Sequence, residues 1–215
     1  MSKYDLILYD LDGTIWDSIP MIMKCFKMAY MDVFGRCDRT DADLLSYIGR
    51  PLQETFEMHD EETSKALLDA YLSHNEIYLN EDEIPLFDGV WDELNKIRSL
   101  GIPQGFATSK RTYSAGITLA HKGLTDFFDV CVCKEQTENH KPDPEPLLYG
   151  AKALNITDMS RVIYIGDAIV DAKCAKNAGA DFALVAWSKM DRDAVMAAAP
   201  EGSKIITKFS EVLGG

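Results

Sequence analysis

The sequence predicts a doubly wound α/β fold, a parallel sheet with a helical module inserted after its first strand, and three observations carry that expectation. An unbroken apolar run, Leu6-Ile7-Leu8-Tyr9, leads into Asp10-Leu11-Asp12-Gly13-Thr14, the pattern of a strand buried on both faces and closed by a glycine turn. The stretch from about Asp17 to Ile84 has no strand signal. From Phe87 onward short β-rich runs alternate with helical patterns, as in consecutive βαβ units. The expected division is an α/β core from residues 1–16 and 85–215, with helices over 17–84.

Within the insertion, Ile19, Ile22, Met23, Phe26, Tyr30, Val33 and Phe34 recur at helical spacing as far as Gly35. Asp41 to Ile48, Leu52 to Met58 and Thr63 to Leu79 are also helical in pattern, the last with Leu67, Leu68, Tyr71 and Leu72 on one side. Gly49 and Pro51 interrupt the bundle, and the tract Asn80 to Glu83 before Pro85 reads as the return linker. The core then reads as a helix over Val90 to Leu100, a strand near Gln104 to Thr108 and a helix near Tyr113 to Lys122. A strand near Asp129 to Cys133 and a helix near Glu145 to Leu154 follow. A strand over Arg161 to Ile165 runs into Gly166-Asp167, a helix over Ala168 to Ala178 stops at Gly179, and a last strand is expected near Phe182 to Ala186.

Composition narrows the function classes. The chain has 215 residues and a formal net charge of -13, with 35 acidic against 22 basic side chains, which disfavours nucleic acid and anionic membranes as partners. No stretch approaches the ~18 apolar residues of a membrane span, and no secretory leader pattern opens the chain, so a cytoplasmic protein, monomer or homodimer, is expected. The 5 cysteines are odd in number and scattered, which suggests reduced thiols rather than a disulfide framework. Cys131 and Cys133 lie two residues apart in an expected strand and read as structural thiols. The histidines lack metal-ligand spacing.

Four strand ends carry polar clusters: Asp10 and Asp12, then Thr108-Ser109-Lys110, then Lys141-Pro142 after a loop, then Gly166-Asp167 with Asp171 one helical turn on. Carboxyl ends of parallel strands face one edge, so these groups should converge. Acids supply the hard oxygen donors that magnesium prefers, while Lys141 and Thr108 suit the nonbridging oxygens of a phosphate. Lys110 reads as a solvated loop residue, and Trp16 and Trp187 read as packing residues.

These motifs, in this order, resemble those of the haloacid dehalogenase superfamily, and the likeness covers essentially the whole chain. The helical insertion resembles the cap of its phosphoglycolate phosphatase-like branch, and Gly49-Arg50-Pro51-Leu52 resembles a segment of that cap. The resemblance implies that Asp10 is the nucleophile that forms an aspartyl-phosphate and that Asp12 is the acid and base. It implies magnesium held by Asp10, the Asp12 main-chain carbonyl and Asp167, with Asp171 in support. It further implies phosphate binding by Thr108, Ser109 and Gly13, charge neutralisation by Lys141 and substrate contact by Arg50.

Within the superfamily, Asp12 argues against a dehalogenase, which has no use for a leaving-group acid. The stretch Asp38 to Gln53 holds no lysine for phosphonatase Schiff-base chemistry, and Met21-Ile22-Met23 stands where a sugar-phosphate mutase carries a histidine. The expected function is a magnesium-dependent hydrolase of a small phosphorylated metabolite, phosphoglycolate by default. A pyrophosphatase or nucleotidase, a mutase and a catalytically inactive binding domain are the alternatives.

Overall fold

The computed structural model describes residues 3–48, 52–82 and 84–214. The first strand, β1 (Leu6–Tyr9), is buried along its length. Four helices follow. The first, α1 (Ile19–Phe34), carries Pro20 in its first turn, where a missing N–H costs nothing, and ends at Gly35. Gly35 takes a left-handed φ of 69° and returns its N–H to the Met31 carbonyl. Next come α2 (Asp41–Leu45), opened by a reciprocal Thr40–Asp43 capping box, and the single turn α3 (Leu52–Thr55). The fourth, α4 (Glu61–Asn80), starts two residues before the periodicity suggests because the Asp60 carboxylate accepts the Thr63 N–H and fixes the cap there.

These helices share an aromatic centre. Phe26 of α1 lies 4.7 Å from the Tyr71 ring of α4, 5.5 Å from Tyr47 and 5.9 Å from Phe56, measured between centroids. The chain then returns beside its point of departure, with the Asp17 N–H donating to the Pro85 carbonyl. No described helix is long and apolar enough to cross a membrane.

The rest of the core runs α5 (Val90–Ser99), β2 (Gln104–Ala107), α6 (Thr112–His121), β3 (Val130–Val132), α7 (Glu145–Ala153), β4 (Val162–Gly166), α8 (Ile169–Ala178) and β5 (Asp181–Val185), then α9 (Arg192–Ala198) and β6 (Lys204–Ile206). The strands form one parallel sheet in the order β3-β2-β1-β4-β5-β6. Side chains of β1 alternate between two apolar layers: Ile7 and Tyr9 join Leu94, Ile97 and Phe209, whereas Leu6 and Leu8 join Leu147, Ala172 and Ala175. Cys131 is exposed in β3, whereas Cys133, past the end of that strand at Val132, is buried.

Two elements lie beyond the sequence expectation, which ends the sheet at its fifth strand. The added α9 and β6 are short, and β6 is an edge strand whose central Ile205 is largely exposed, so no long apolar run announces it.

The order of strands sets the site. Chain direction across the sheet reverses at β1, whose neighbours are β2 and β4. Tyr9 pairs with Phe106 on one side and Ile165 on the other, so Asp10 emerges level with the ends of both neighbours. Close spacing on the β2 side depends on Gly105, where an added Cβ would lie 2.6 Å from the Val130 carbonyl oxygen. Gly105→Ala should therefore lower unfolding free energy by about 1–3 kcal/mol, read from the urea midpoint; an unchanged midpoint would show that the sheet yields at no expense.

Candidate active site

The strand ends bring the expected groups together. Asp10 follows β1, Thr108 and Ser109 follow β2, Lys141 lies in the loop before α7, and Asp167 and Asp171 follow β4. All except Ser109 are polar residues that the core buries almost completely: Asp10, Thr108, Lys141, Asp167 and Asp171 have relative exposures of 0–6%. The Lys141 ammonium bridges two acids, 2.9 Å from Asp10 Oδ1 and 2.7 Å from Asp171 Oδ1. The first is a charge contact rather than an aligned hydrogen bond.

Asp171 is fully engaged. Its Oδ1 also lies 3.3 Å from the Tyr164 hydroxyl, and its Oδ2 accepts the backbone N–H groups of Asp167 and Ala168 at 3.2 and 3.0 Å. This carboxylate therefore caps the start of α8 and anchors Lys141 at once. Asp167 is the opposite case, because its Oδ2 is buried with no hydrogen-bond partner among the described residues. Space for that oxygen comes from Gly13, at φ 82°, where an added Cβ would lie 2.8 Å from Asp167 Cγ.

Carboxylates outnumber the one ammonium among them, and the titration behaviour follows. Burial pushes Asp10 up to about 6 against the pull of Lys141, with Asp171 and Asp12 adding to the rise. Burial likewise holds Asp167 well above the usual carboxylate range, reinforced by Asp171 and Asp10. Burial opposes the Lys141 charge, yet Asp10 and Asp171 keep its affinity for the proton above the ordinary value. Asp10, Asp167 and Asp171 each place a carboxylate oxygen within 4.8 Å of the others. With one buried oxygen unpartnered, the set fits a hard divalent cation.

Asp12 belongs to a separate arrangement. Its Oδ1 accepts from Trp16 Nε1 and Ser18 Oγ, each at 2.7 Å, and from Lys110 Nζ at 3.2 Å. Burial pushes its pKa up, but Lys110, Ser18 and Trp16 outweigh burial and hold it below the ordinary value. The expectation that Lys110 is a solvated loop residue is therefore corrected: its side chain is only 7% exposed and pairs with Asp12. Trp16 is fully buried, as expected, but it also serves the acid. Trp187 packs between Phe87 and Phe209.

These groups open onto a cleft between the core edge and the helices that is partly continuous with solvent. Asp10, Asp12, Thr108, Ser109, Lys110, Lys141 and Asp167 line one side, and α1 and α4 contribute Ile22, Phe26, Tyr71 and Asn75 to the other. Ser109 Oγ is buried without a hydrogen-bond partner in the described structure. Arg50 falls outside the described residues.

Sequence reasoning overlooked three contributors. Tyr164 donates to the Ala107 carbonyl at 2.6 Å and accepts from Lys141 at 3.1 Å, tying β4, β2 and the lysine together. A hydroxyl in an otherwise aliphatic strand, Val-Ile-Tyr-Ile, was the available signal. Ser188 donates to the Asp167 carbonyl at 2.7 Å from a loop after β5, and nothing in its neighbourhood marks it. Asn75 is a carboxamide on the buried side of α4, a place where apolar residues are the rule.

The family model described as haloacid dehalogenase-like hydrolase matches residues 7–185. Pyrophosphatase PpaX of Bacillus velezensis is 30% identical over 208 residues, covering 96% of this chain and 94% of that protein. Pyrophosphatase PpaX of Halalkalibacterium halodurans is 30% identical over 194 residues, covering 90% and 88%. A solved structure from Bacteroides fragilis, assigned as a haloacid dehalogenase-like hydrolase, superposes with a TM-score of 0.86 at 28% identity over 97% of this chain and 99% of that one. A Haemophilus somnus structure assigned as a phosphoglycolate phosphatase has the same fold, with a TM-score of 0.85 at 19% identity, 99% of this chain and 98% of that one being covered.

The unpartnered carboxylate has a measurable consequence. A carboxyl whose pKa is raised by folding binds more protons in the folded state, so its contribution to stability falls as pH rises above the unfolded value. In the metal-free protein, Asp167→Asn should therefore raise stability at about pH 7 by about 1–3 kcal/mol, a gain that shrinks toward about pH 4. Urea melts across that range in chelator provide the check; a variant no more stable than wild type at neutral pH would contradict the electrostatic account.

Proposed function

This chain belongs to the haloacid dehalogenase-like hydrolases, and we propose that it is a magnesium-dependent phosphatase acting on a small phosphomonoester through an aspartyl-phosphate on Asp10. The observation that carries this reading is the unpartnered Asp167 oxygen beside Asp10, in a buried cluster where acids exceed bases. Such an excess is costly to keep unless a cation joins it.

In this reading a carboxylate oxygen of Asp10 attacks phosphorus, and the bond from phosphorus to the leaving oxygen breaks. Lys141 stands beside Asp10 where it neutralises both nucleophile and phosphate, and Thr108, the Ser109 hydroxyl and the backbone of the Gly13 turn receive the nonbridging oxygens. Magnesium, held by Asp10, Asp167 and the Asp12 main-chain carbonyl, supplies positive charge against the repulsion between carboxylate and phosphate. Asp171, both of whose oxygens are already engaged, supports from behind by orienting Lys141 and the Asp167 backbone.

Asp12 handles the proton. It is held as a carboxylate before substrate arrives; approach of an anionic phosphate raises its proton affinity, so it binds a proton and passes it to the leaving oxygen. In the second half it takes a proton from the water that attacks phosphorus, and the bond to Asp10 breaks to release phosphate. The helical segment over 17–84 acts as a cap that covers the cleft and excludes bulk water. Phosphoglycolate is the substrate that branch resemblance suggests. A pyrophosphatase is the second reading, favoured by the name carried by the Bacillus velezensis and Halalkalibacterium halodurans relatives.

Asp10→Asn should reduce turnover by at least about 10³-fold with near wild-type melting, and chelator should silence the wild type until magnesium is restored. Undiminished turnover in either case would remove the assignment concerned. Asp12→Ala should lose about 10²–10⁴-fold on alkyl phosphates and markedly less on aryl phosphates with good leaving groups. An equal loss on both would count against proton donation by Asp12.

A further inference from the structure

Two of the donors to Asp12 come from its own neighbourhood in the chain, Trp16 and Ser18, and both are fully buried. Lys110 instead arrives from the loop after β2 and borders the cleft together with Asp12 itself. It is also the donor that spans the carboxylate: its ammonium lies 3.2 Å from Oδ1 and 3.3 Å from Oδ2, whereas Trp16 and Ser18 meet Oδ1. In the described structure Oδ1 is thus crowded by three donors, and Oδ2 is the oxygen left to work on a ligand.

The lysine is fixed from its own side as well. Its N–H donates to the Thr108 hydroxyl oxygen at 3.3 Å, and its carbonyl accepts the Lys134 N–H at 3.0 Å. The backbone that aims Lys110 at Asp12 is therefore tied to Thr108, the residue expected to receive phosphate. With only 7% of its side chain exposed, the ammonium has given up most of its water to meet this carboxylate. A buried ion pair adds little stability over an apolar pair of the same shape, so the fold alone gives no reason to keep one here. The reason lies in what the lysine holds.

We infer that Lys110 is a positioning residue for proton transfer that acts through Asp12, fixing the plane of its carboxylate so that Oδ2 meets the leaving oxygen and, later, the attacking water. The inference rests on the phosphatase reading above and deepens it. Without the lysine, Asp12 keeps Trp16 and Ser18 on Oδ1 but can pivot about that oxygen, and a misplacement of about 1 Å costs on the order of 10²-fold in rate. An ammonium serving the phosphoryl group itself would assist every phosphate ester alike. One that positions Asp12 matters in proportion to the leaving oxygen's need for a proton.

The test measures kcat/KM, with magnesium, for propyl phosphate and 4-nitrophenyl phosphate in the wild type, Lys110→Met, Asp12→Ala and the double variant. Lys110→Gln serves as a second variant should the methionine form melt early. Because kcat/KM covers the steps up to departure of the leaving group, slow hydrolysis of the intermediate does not enter. Lys110→Met should lose about 10–100-fold on propyl phosphate and less than about threefold on 4-nitrophenyl phosphate, and the double variant should be no slower than Asp12→Ala alone. Equal losses on both esters, losses that multiply in the double variant, or no loss at all in Lys110→Met would overturn the inference, while leaving-group dependence in Asp12→Ala left the phosphatase reading standing. An Asp12→Ala enzyme equally slow on both esters, or release from neither ester by the wild type, would overturn that reading and the inference with it.

Discussion

Everything at this sheet edge answers to one electrostatic constraint: acids are gathered, out of water, where Lys141 is the one cation among them in the described structure. Asp10, Asp167 and Asp171 lie within a few ångströms of one another, and Lys141 touches the first and last. Folding must hold this arrangement against its own repulsion. The means are visible in the hydrogen bonds. Asp171 is satisfied by a lysine and two backbone amides, and Ser188 secures the Asp167 backbone, so the strain is confined to Asp10 and the outer oxygen of Asp167. Those are the two places where a cation and a phosphate would relieve it.

A second arrangement keeps Asp12, the proposed acid and base, apart from this cluster. Asp12 lies two residues from Asp10, yet Trp16, Ser18 and Lys110 turn its carboxylate into a different set of bonds and lower its proton affinity while burial raises that of Asp10. Neighbouring carboxyls thus acquire opposite tendencies from their surroundings, the condition under which one can serve as nucleophile and the other as proton carrier. The turn that separates them needs Gly13, both for its backbone conformation and for the room it leaves to Asp167.

Much of this was legible in the sequence because it rests on strong local patterns. The apolar run before Asp10, the helical repeat ended by Gly35 and the strand before Gly166-Asp167 fix elements whose topology then brings their ends together. The acids and Lys141 could be placed by that logic alone. Lys110 could not, since its burial depends on Asp12, some hundred positions away in sequence, and a lysine after Thr-Ser looks the same whether solvated or paired. Tyr164, Ser188 and Asn75 act through contacts that no spacing encodes, and β6 is too short to show a pattern. Long-range partners and short edge elements are what a linear reading loses.

The central claim is that Asp10 takes the phosphoryl group. The most direct measurement is acid quenching of the wild-type enzyme during turnover of its best substrate with magnesium, followed by peptide mapping by mass spectrometry. The account predicts one phosphoryl group on the peptide carrying Asp10, labile to hydroxylamine and missing when chelator replaces magnesium. Steady turnover with a phosphoryl group on another residue, or formation of the adduct in chelator, would contradict it.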